Sequence, residues 1–203
     1  MATAAGSLIT TVLLRVRDPD ATAHPRAFVL ALLTEAQRCV NGAASQVVET
    51  ATLTTAPARQ CYAVEANLSN ALRIVGIRDE AGRDLTRTPW SALAHGNRRW
   101  WRQLGSRPLV WSLVGRDLLV LHPATPDAQT LTVAYVKKTA TLSSETSVTE
   151  TTDDVNDFVL ALTEVILLLK ARRLDGVAGP LGRLAAFASD RLTDPAMQRE
   201  QSV

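Results

Sequence analysis

The sequence predicts an α+β fold: a helical bundle formed by N- and C-terminal helices, with an inserted antiparallel β domain. Three observations predict it. Apolar residues recur at helical spacing near both ends of the chain and at strand spacing in the middle. The stretch from Arg107 to Lys138, RPLVWSLVGRDLLVLHPATPDAQTLTVAYVKK, holds three short β runs separated by Gly115-Arg116-Asp117 and by Pro123 to Asp127, which reads as a meander. Late in the chain, Val155, Phe158, Val159, Leu162, Val165, Ile166 and Leu169 form a helical stripe, and Leu160, Leu167 and Leu168 extend it almost all round. A helix apolar on every side belongs in a core or between subunits. Helices segregated from an antiparallel sheet are the α+β pattern.

The elements follow in order. Ser7 is placed to cap a first helix, with Leu8, Ile9, Val12, Leu13 and Val16 as its stripe. Asp18-Pro19 ends it, because the residue before proline avoids helical geometry. Pro25 suits the first turn of a second helix, whose stripe is Phe28, Val29, Leu32, Leu33, Ala36 and Val40, with Asn41-Gly42 as the stop. The two helices are expected over 6–17 and 25–41. Thr50 to Thr55, Gln60 to Val64 and Leu72 to Ile77 read as strands, and Asp79 to Asp84 as a turn around Gly82. After the meander, Thr139 to Thr152 is rich in threonine and serine and reads as an extended linker. Thr152, Asp153 or Asp154 is placed to cap the late helix, and Gly176 to stop it. Pro180 opens a last helix carrying Leu181, Leu184, Ala185, Ala188 and Leu192; Asp194-Pro195 ends it. The expected division is therefore N-terminal bundle helices over 1–49 and an inserted β domain over 50–138. A linker over 139–152, C-terminal bundle helices over 153–194 and a mobile arm over 195–203 follow.

Composition narrows the function classes. Apolar residues make 46% of the 203 and charged residues 21%, ordinary for a folded protein. The net charge of +2, from 22 basic and 20 acidic side chains, is too balanced to mark a nucleic-acid binder by bulk charge. Two cysteines, Cys39 and Cys61, give no disulfide framework and are expected as buried thiols. The N-terminal stretch lacks the basic region of a signal peptide, so Asn67-Leu68-Ser69 is not expected to be glycosylated. The longest apolar run, Phe158 to Leu169, is shorter than the ~20 residues that cross a bilayer, and no membrane association is expected.

No catalytic or cofactor motif appears. His24, His95 and His122 stand alone, and each is better explained as a polar residue at the end of an element than as a ligand or base. There is no paired-histidine helix motif, no CxxC, no glycine-rich nucleotide loop and no GxSxG elbow. Asp153, Asp154 and Asp157 are accounted for by the positive end of a helix dipole. Catalytic, cofactor and metal sites are therefore all expected to be absent.

One segment invites a partner. Pro89 to Gly105 is expected as a long loop with a short helix, and it holds Trp90, Trp100 and Trp101, three of the four tryptophans, interleaved with Arg98, Arg99 and Arg102. Loops of this length are usually functional. Tryptophan and arginine dominate protein–protein hot spots, and also stack on bases and hold phosphates. The bland reading is one tryptophan in the core with the arginines solvated. A partner interface at these six residues is the sharper reading, and direct nucleic-acid binding a further one.

Taken in order, these patterns resemble the head-to-tail adaptor (connector) proteins of tailed bacteriophages, of the type found below the portal in short-tailed phages. The resemblance runs over about residues 6 to 192. It is carried by Leu33 to Cys39 in an early helix, the strand reaching Tyr62-Ala63-Val64, and Leu72-Arg73-Ile74-Val75-Gly76-Ile77 before a charged turn. Trp90 and Leu93 then begin the loop leading to Trp101. Gly105-Ser106-Arg107-Pro108 leads to Trp111, Gly115 and Leu118-Leu119-Val120-Leu121-His122-Pro123. Leu131, Val133 and Tyr135 give the family's L-x-V-x-Y strand, and a linker with Thr139 and Leu142 precedes the leucine-rich helix. Where the family often has an aromatic before the strand-ending proline, this chain has His122, and the proline that often marks the late helix is missing around Thr151.

The resemblance implies a structural virion protein without enzymatic activity or cofactor. It implies a homo-oligomeric ring, a dodecamer, in the virion neck between capsid and tail, assembled in the host cytoplasm. The ring would hold the portal protein above and a distal tail or nozzle protein below. Double-stranded DNA would pass through its channel without sequence-specific binding, which near-neutral charge suits better than a strongly basic chain. The C-terminal segment Thr193, Asp194, Pro195, Ala196, Met197, Gln198, Arg199, Glu200, Gln201, Ser202 and Val203 would be the portal-docking arm, its polar composition suiting a segment that folds on binding. The loop bearing Trp90 to Arg102 would face the distal component. The alternatives are a more distal neck or head-completion (stopper) protein, and a nucleic-acid-binding module.

Overall fold

The computed structural model describes residues 3–193, apart from 46, 97, 98 and 116. The fold is mixed α+β. Its elements are α1 (Ala5–Arg15), α2 (Arg26–Ala44), β1 (Val48–Thr54), β2 (Cys61–Ala63), α3 (Val64–Asn67), β3 (Ala71–Arg78), β4 (Thr86–Arg87), α4 (Trp90–Gly96), β5 (Val110–Val114), β6 (Leu118–His122), β7 (Thr130–Lys137), α5 (Asp153–Lys170) and α6 (Ala178–Thr193). Single 3₁₀ turns lie at Trp100–Arg102 and Leu174–Gly176. The chain forms two compact units: Val48–Lys137 is one, and the segments before and after it form the other.

The helical unit is built around α5. Contacts run from α5 to α1, α2 and α6, and from α1 to α2. Ile9, Val12 and Leu13 of α1, Val29 and Leu33 of α2, and Val155, Val159 and Leu167 of α5 share one core. The near-complete apolar surface of α5 is thus explained within one chain: neighbours cover it on several sides. Each fully buried large aliphatic contributes roughly 1.5–3 kcal/mol relative to exposure, and this cluster supplies most of the unit's apolar burial. Phe158 of α5 stacks on Phe187 of α6 at 4.0 Å between ring centroids. Two expected helix ends differ. Ser7 is not the cap: α1 starts after Ala4, and the Ser7 hydroxyl donates to the Ala4 carbonyl. Asn41-Gly42 does not stop α2, which runs on to Ala44 and ends at left-handed Ser45. Asn41 is buried, and its side-chain oxygen accepts from the Val47 N–H, so it fixes the exit of the chain instead.

Residues 139–152, linker-like in composition, run without helix or strand as a strap along these helices. The Leu142 N–H donates to the Thr34 hydroxyl, and Arg38 donates to the Thr141 hydroxyl at 2.7 Å. Further on, the carbonyls of Ser147 and Glu145 accept from the N–H groups of Ala5 and Gly6, both at 2.8 Å. A helix leaves its first N–H groups without intrahelical partners, and here the strap supplies them. Arg26 holds the Glu145 carboxylate bidentately at 2.6 and 2.7 Å. Leu142 enters the core while threonines keep the backbone extended and bonded.

The β unit holds two sheets, ordered β1-β7-β3 and β2-β6-β5-β4. Most pairings are antiparallel; β4 runs parallel to β5. The expected meander is divided between the sheets. β5 and β6 form its hairpin, paired from Val110↔His122 to Val114↔Leu118, with Gly115 at φ +65° opening the turn. β7 leaves for the other sheet. Pro123 offers no N–H and ends the β6 ladder, and the chain reaches β7 through residues 124–129. Between β1 and β3, β7 is paired on both edges, and Leu131, Val133 and Val136 are fully buried. The core of this unit closes on Trp111, with Arg87 over its ring at 5.5 Å. The Asp79-to-Asp84 turn is held by Asp79, which accepts from the backbone N–H groups of Ala81 and Arg83 and from the Arg83 and Arg107 side chains. Gly82 sits in it at φ +75°.

The thiols also differ from expectation. Both are free, but Cys39 is exposed and Cys61 only half-buried. Among the described residues no helix is long and apolar enough to cross a membrane. No group of three or more His, Cys, Asp or Glu among them is placed to hold a metal ion.

Candidate partner-binding site

The tryptophan–arginine segment begins at β4 and ends at β5. Thr86 and Thr88 donate their N–H groups to the carbonyls of Leu109 and Trp111, which fixes where the chain leaves the sheet. Pro89 supplies the first turn of α4, accepting from the Ala92 and Leu93 N–H groups. The loop with a short helix expected here contains α4 followed by a 3₁₀ turn. Trp90 opens the helix, and Trp100 and Trp101 stand in the turn.

Trp100 is the anchor. It is 8% exposed, and its ring meets Trp90 at 5.0 Å, Trp101 at 6.2 Å and His122 at 6.1 Å, all edge to face. Aromatic pairs at such distances and angles contribute about 0.5–1.5 kcal/mol each beyond their buried area. Gln60, itself buried, donates its amide to the Trp100 carbonyl at 3.2 Å. The other two tryptophans face outward, Trp90 at 37% and Trp101 at 56% exposure. Arg99 and Arg102 are exposed. Arg98 lies outside the described residues.

Two leucines near the segment's end, which the sequence did not single out, are also exposed. Leu104 is 59% exposed and Leu109 51%. Both are fixed through the end of β6: Leu104 bridges to Ala124, and the Leu109 N–H donates to the His122 carbonyl at 2.9 Å. Their signal in the sequence is slight. They flank Gly105-Ser106-Arg107-Pro108, and Gly105 is required there, since a Cβ would collide with the Pro123 ring. Burial holds the His122 pKa below its ordinary value, so the ring is neutral at pH 7 and serves as an aromatic wall for Trp100.

Among its described residues the segment exposes indole, leucine and guanidinium side chains, the composition of a contact surface. Of the expected docking arm, Thr193 is the last residue of α6, and Asp194 to Val203 lie outside the described residues.

The model of the SU10 adaptor protein family matches residues 3–201. The chain belongs to the SU10 adaptor protein family. That match spans both compact units, and it agrees with the resemblance to phage head-to-tail adaptors carried by the ordered motifs from Leu33 to the leucine-rich α5. The adaptor family is one of structural phage proteins and is not known as enzymatic. No curated protein matches the chain.

Proposed function

We propose that this adaptor forms a homo-oligomeric ring, a dodecamer, in the virion neck, joining the portal protein to the tail and lining the DNA exit channel. The family match over residues 3–201 carries the proposal. Helices from both chain ends, with α5 at their centre, act as a bundle that gives each subunit a rigid body for head-to-tail contacts closing by rotation. The arm from Thr193 to Val203 docks on the portal and orders there. The surface bearing Trp90, Arg98, Arg99, Trp100, Trp101 and Arg102 meets the distal tail or nozzle protein. DNA slides through without sequence-specific contacts, in keeping with the near-neutral net charge. Subunits assemble in the host cytoplasm before joining the particle.

The test is co-assembly. The purified protein is mixed with the portal protein encoded in the same genome and imaged by electron microscopy. An added ring beneath the portal is the expected result, lost when Thr193 to Val203 is deleted. A folded, soluble protein that adds no density to the portal refutes the reading and favours a more distal neck position.

A further inference from the structure

β1 is an open sheet edge. In the sheet ordered β1-β7-β3 it pairs on one side only, in unbroken register from Val48↔Val136 to Thr54↔Thr130. The next pair along shows which of its backbone groups face outward. The Thr55 N–H donates to the Gln129 carbonyl at 2.8 Å, so that pair is of the hydrogen-bonded kind. The two kinds of pair alternate along an antiparallel ladder. Glu49, Ala51 and Leu53 therefore bond to β7, while Val48, Thr50, Thr52 and Thr54 turn their N–H and C=O groups away from it. All four are exposed, and among the described residues none of their backbone groups is bonded elsewhere in the chain.

The other edges are closed or short. β3, on the far side of β7, has two register shifts, and its own chain covers its end: Arg78 bridges to Asp84, and the Leu85 N–H donates to the Ile77 carbonyl. β2 and β4, the edges of the second sheet, are three and two residues long. Irregular register, short length and covering turns are how proteins keep an edge from pairing with another chain. β1 has none of these, and no proline or lysine.

We infer that β1 takes an added strand: an extended segment of another particle protein lies along Val48 to Thr54 and completes the sheet. The inference rests on the adaptor reading, which commits the C-terminal arm to the portal, and it gives the binding mode of the tail-side partner. The edge itself names the occupant. Backbone donors and acceptors at every second residue match an extended chain, not a helix or a DNA duplex. The one charge on β1, Glu49, is paired with Lys137 at 2.9 Å, so selection is by backbone bonding and side-chain fit rather than by sign. Alternate side chains of the added strand would lie beside Ala51 and Leu53, which face the core, and beside Thr50 and Thr52, which face solvent. A neighbouring copy has no equal edge to offer. Two β1 strands pairing antiparallel would be related by a two-fold axis, which a ring of head-to-tail contacts excludes.

The experiment uses the full chain assembled on its portal protein, with isolated tails of the same phage as the probe. Attachment is measured by sedimentation and negative-stain imaging. Thr52→Pro removes one outward N–H and no bond of the β7 ladder, and it is expected to lower attachment at least about tenfold. Thr50→Pro repeats the loss. Thr132→Lys, on the same sheet face but on central β7, leaves attachment unchanged. Circular dichroism establishes that the variants fold. Hydrogen exchange of the wild type gives a readout that needs no variant. The amides of Val48, Thr50, Thr52 and Thr54 should exchange fast in the free chain and in the ring on the portal, and become protected once tails attach. Protection already present in the free chain or in the ring without tails overturns the tail-side strand. Tails that attach without protecting these amides, or a loss with Thr132→Lys equal to that with Thr52→Pro, overturn the inference and leave the adaptor reading standing. Failure of the ring to form overturns the adaptor reading and this inference with it.

Discussion

Replacing Gln37 with leucine should stabilise the protein. Gln37 lies on α2 at 0% exposure, and neither its side-chain oxygen nor its nitrogen has a partner among the described residues. It stands on the same helix face as the buried Thr34 and Asn41, spaced three and four residues away, and both of those have hydrogen bonds. A buried polar group left unsatisfied costs about 1–3 kcal/mol, and this side chain carries two such atoms. Leucine is close to glutamine in volume, and imperfect fit in such swaps costs less than about 1.5 kcal/mol. The net expectation is a gain of about 1–3 kcal/mol, raising Tm by roughly 2–4 °C per kcal/mol for a chain of this size. Urea and thermal unfolding of the full chain, followed by circular dichroism at a helical wavelength, measures it. A loss of more than about 1 kcal/mol would refute the reasoning. It would mean that Gln37 is held by partners in solution and that the polar stripe of α2 is a satisfied network.

The other expectations concern the β unit. Gly105→Ala forces a methyl into Pro123 and should cost about 1–3 kcal/mol, as overpacking does, with a shift in tryptophan emission because the segment leads back to Trp100; unchanged stability and emission would show that the segment yields freely. Asp79 has its pKa lowered to about 2, first by the Arg83 backbone N–H and then by the Arg83 and Arg107 side chains, against the opposing effect of burial. A depressed carboxylate pKa contributes stability above the unfolded value near 4 that is lost as pH falls toward about 2. The stability gap between wild type and Asp79→Asn should accordingly hold from pH 7 to about 4 and close below it; a gap independent of pH would remove the ionised carboxylate from the account. His122, depressed by burial, stabilises the site only while neutral. Acidification below about 6.5 should begin to loosen the Trp100 cluster and change its emission, and His122→Phe should abolish that change. An identical acid response in His122→Phe would place the titration elsewhere.

Legibility in the sequence follows the range of the interaction that decides each feature. Helical stripes such as Ile9, Val12 and Leu13, and alternating runs such as Leu131, Val133 and Tyr135, are local, and both appear in the structure as elements with those residues inward. What the sequence left undecided is non-local. That β7 leaves the β5–β6 hairpin for the other sheet depends on the edges offered by β1 and β3, some 50 to 80 residues earlier. The end of α2 depends on Asn41 bonding beyond the helix at Val47, where Asn41-Gly42 alone signals a stop. The strap is a third case. A run of threonine and serine looks like a linker because its polar side chains form no core pattern, yet its order comes from backbone groups that terminate α1. The candidate site shows the same division. Its tryptophans and arginines were legible as unusual residues close together, and so was the chance that one tryptophan would turn inward. The one that does so is Trp100, packed against His122 and with its carbonyl held by Gln60, both distant in sequence, while Trp90 and Trp101 stay exposed. Trp100 is thus held by residues outside its own segment, Gln60 before β2 and His122 at the end of β6, so substitution of either should loosen the tryptophan cluster and shift its emission.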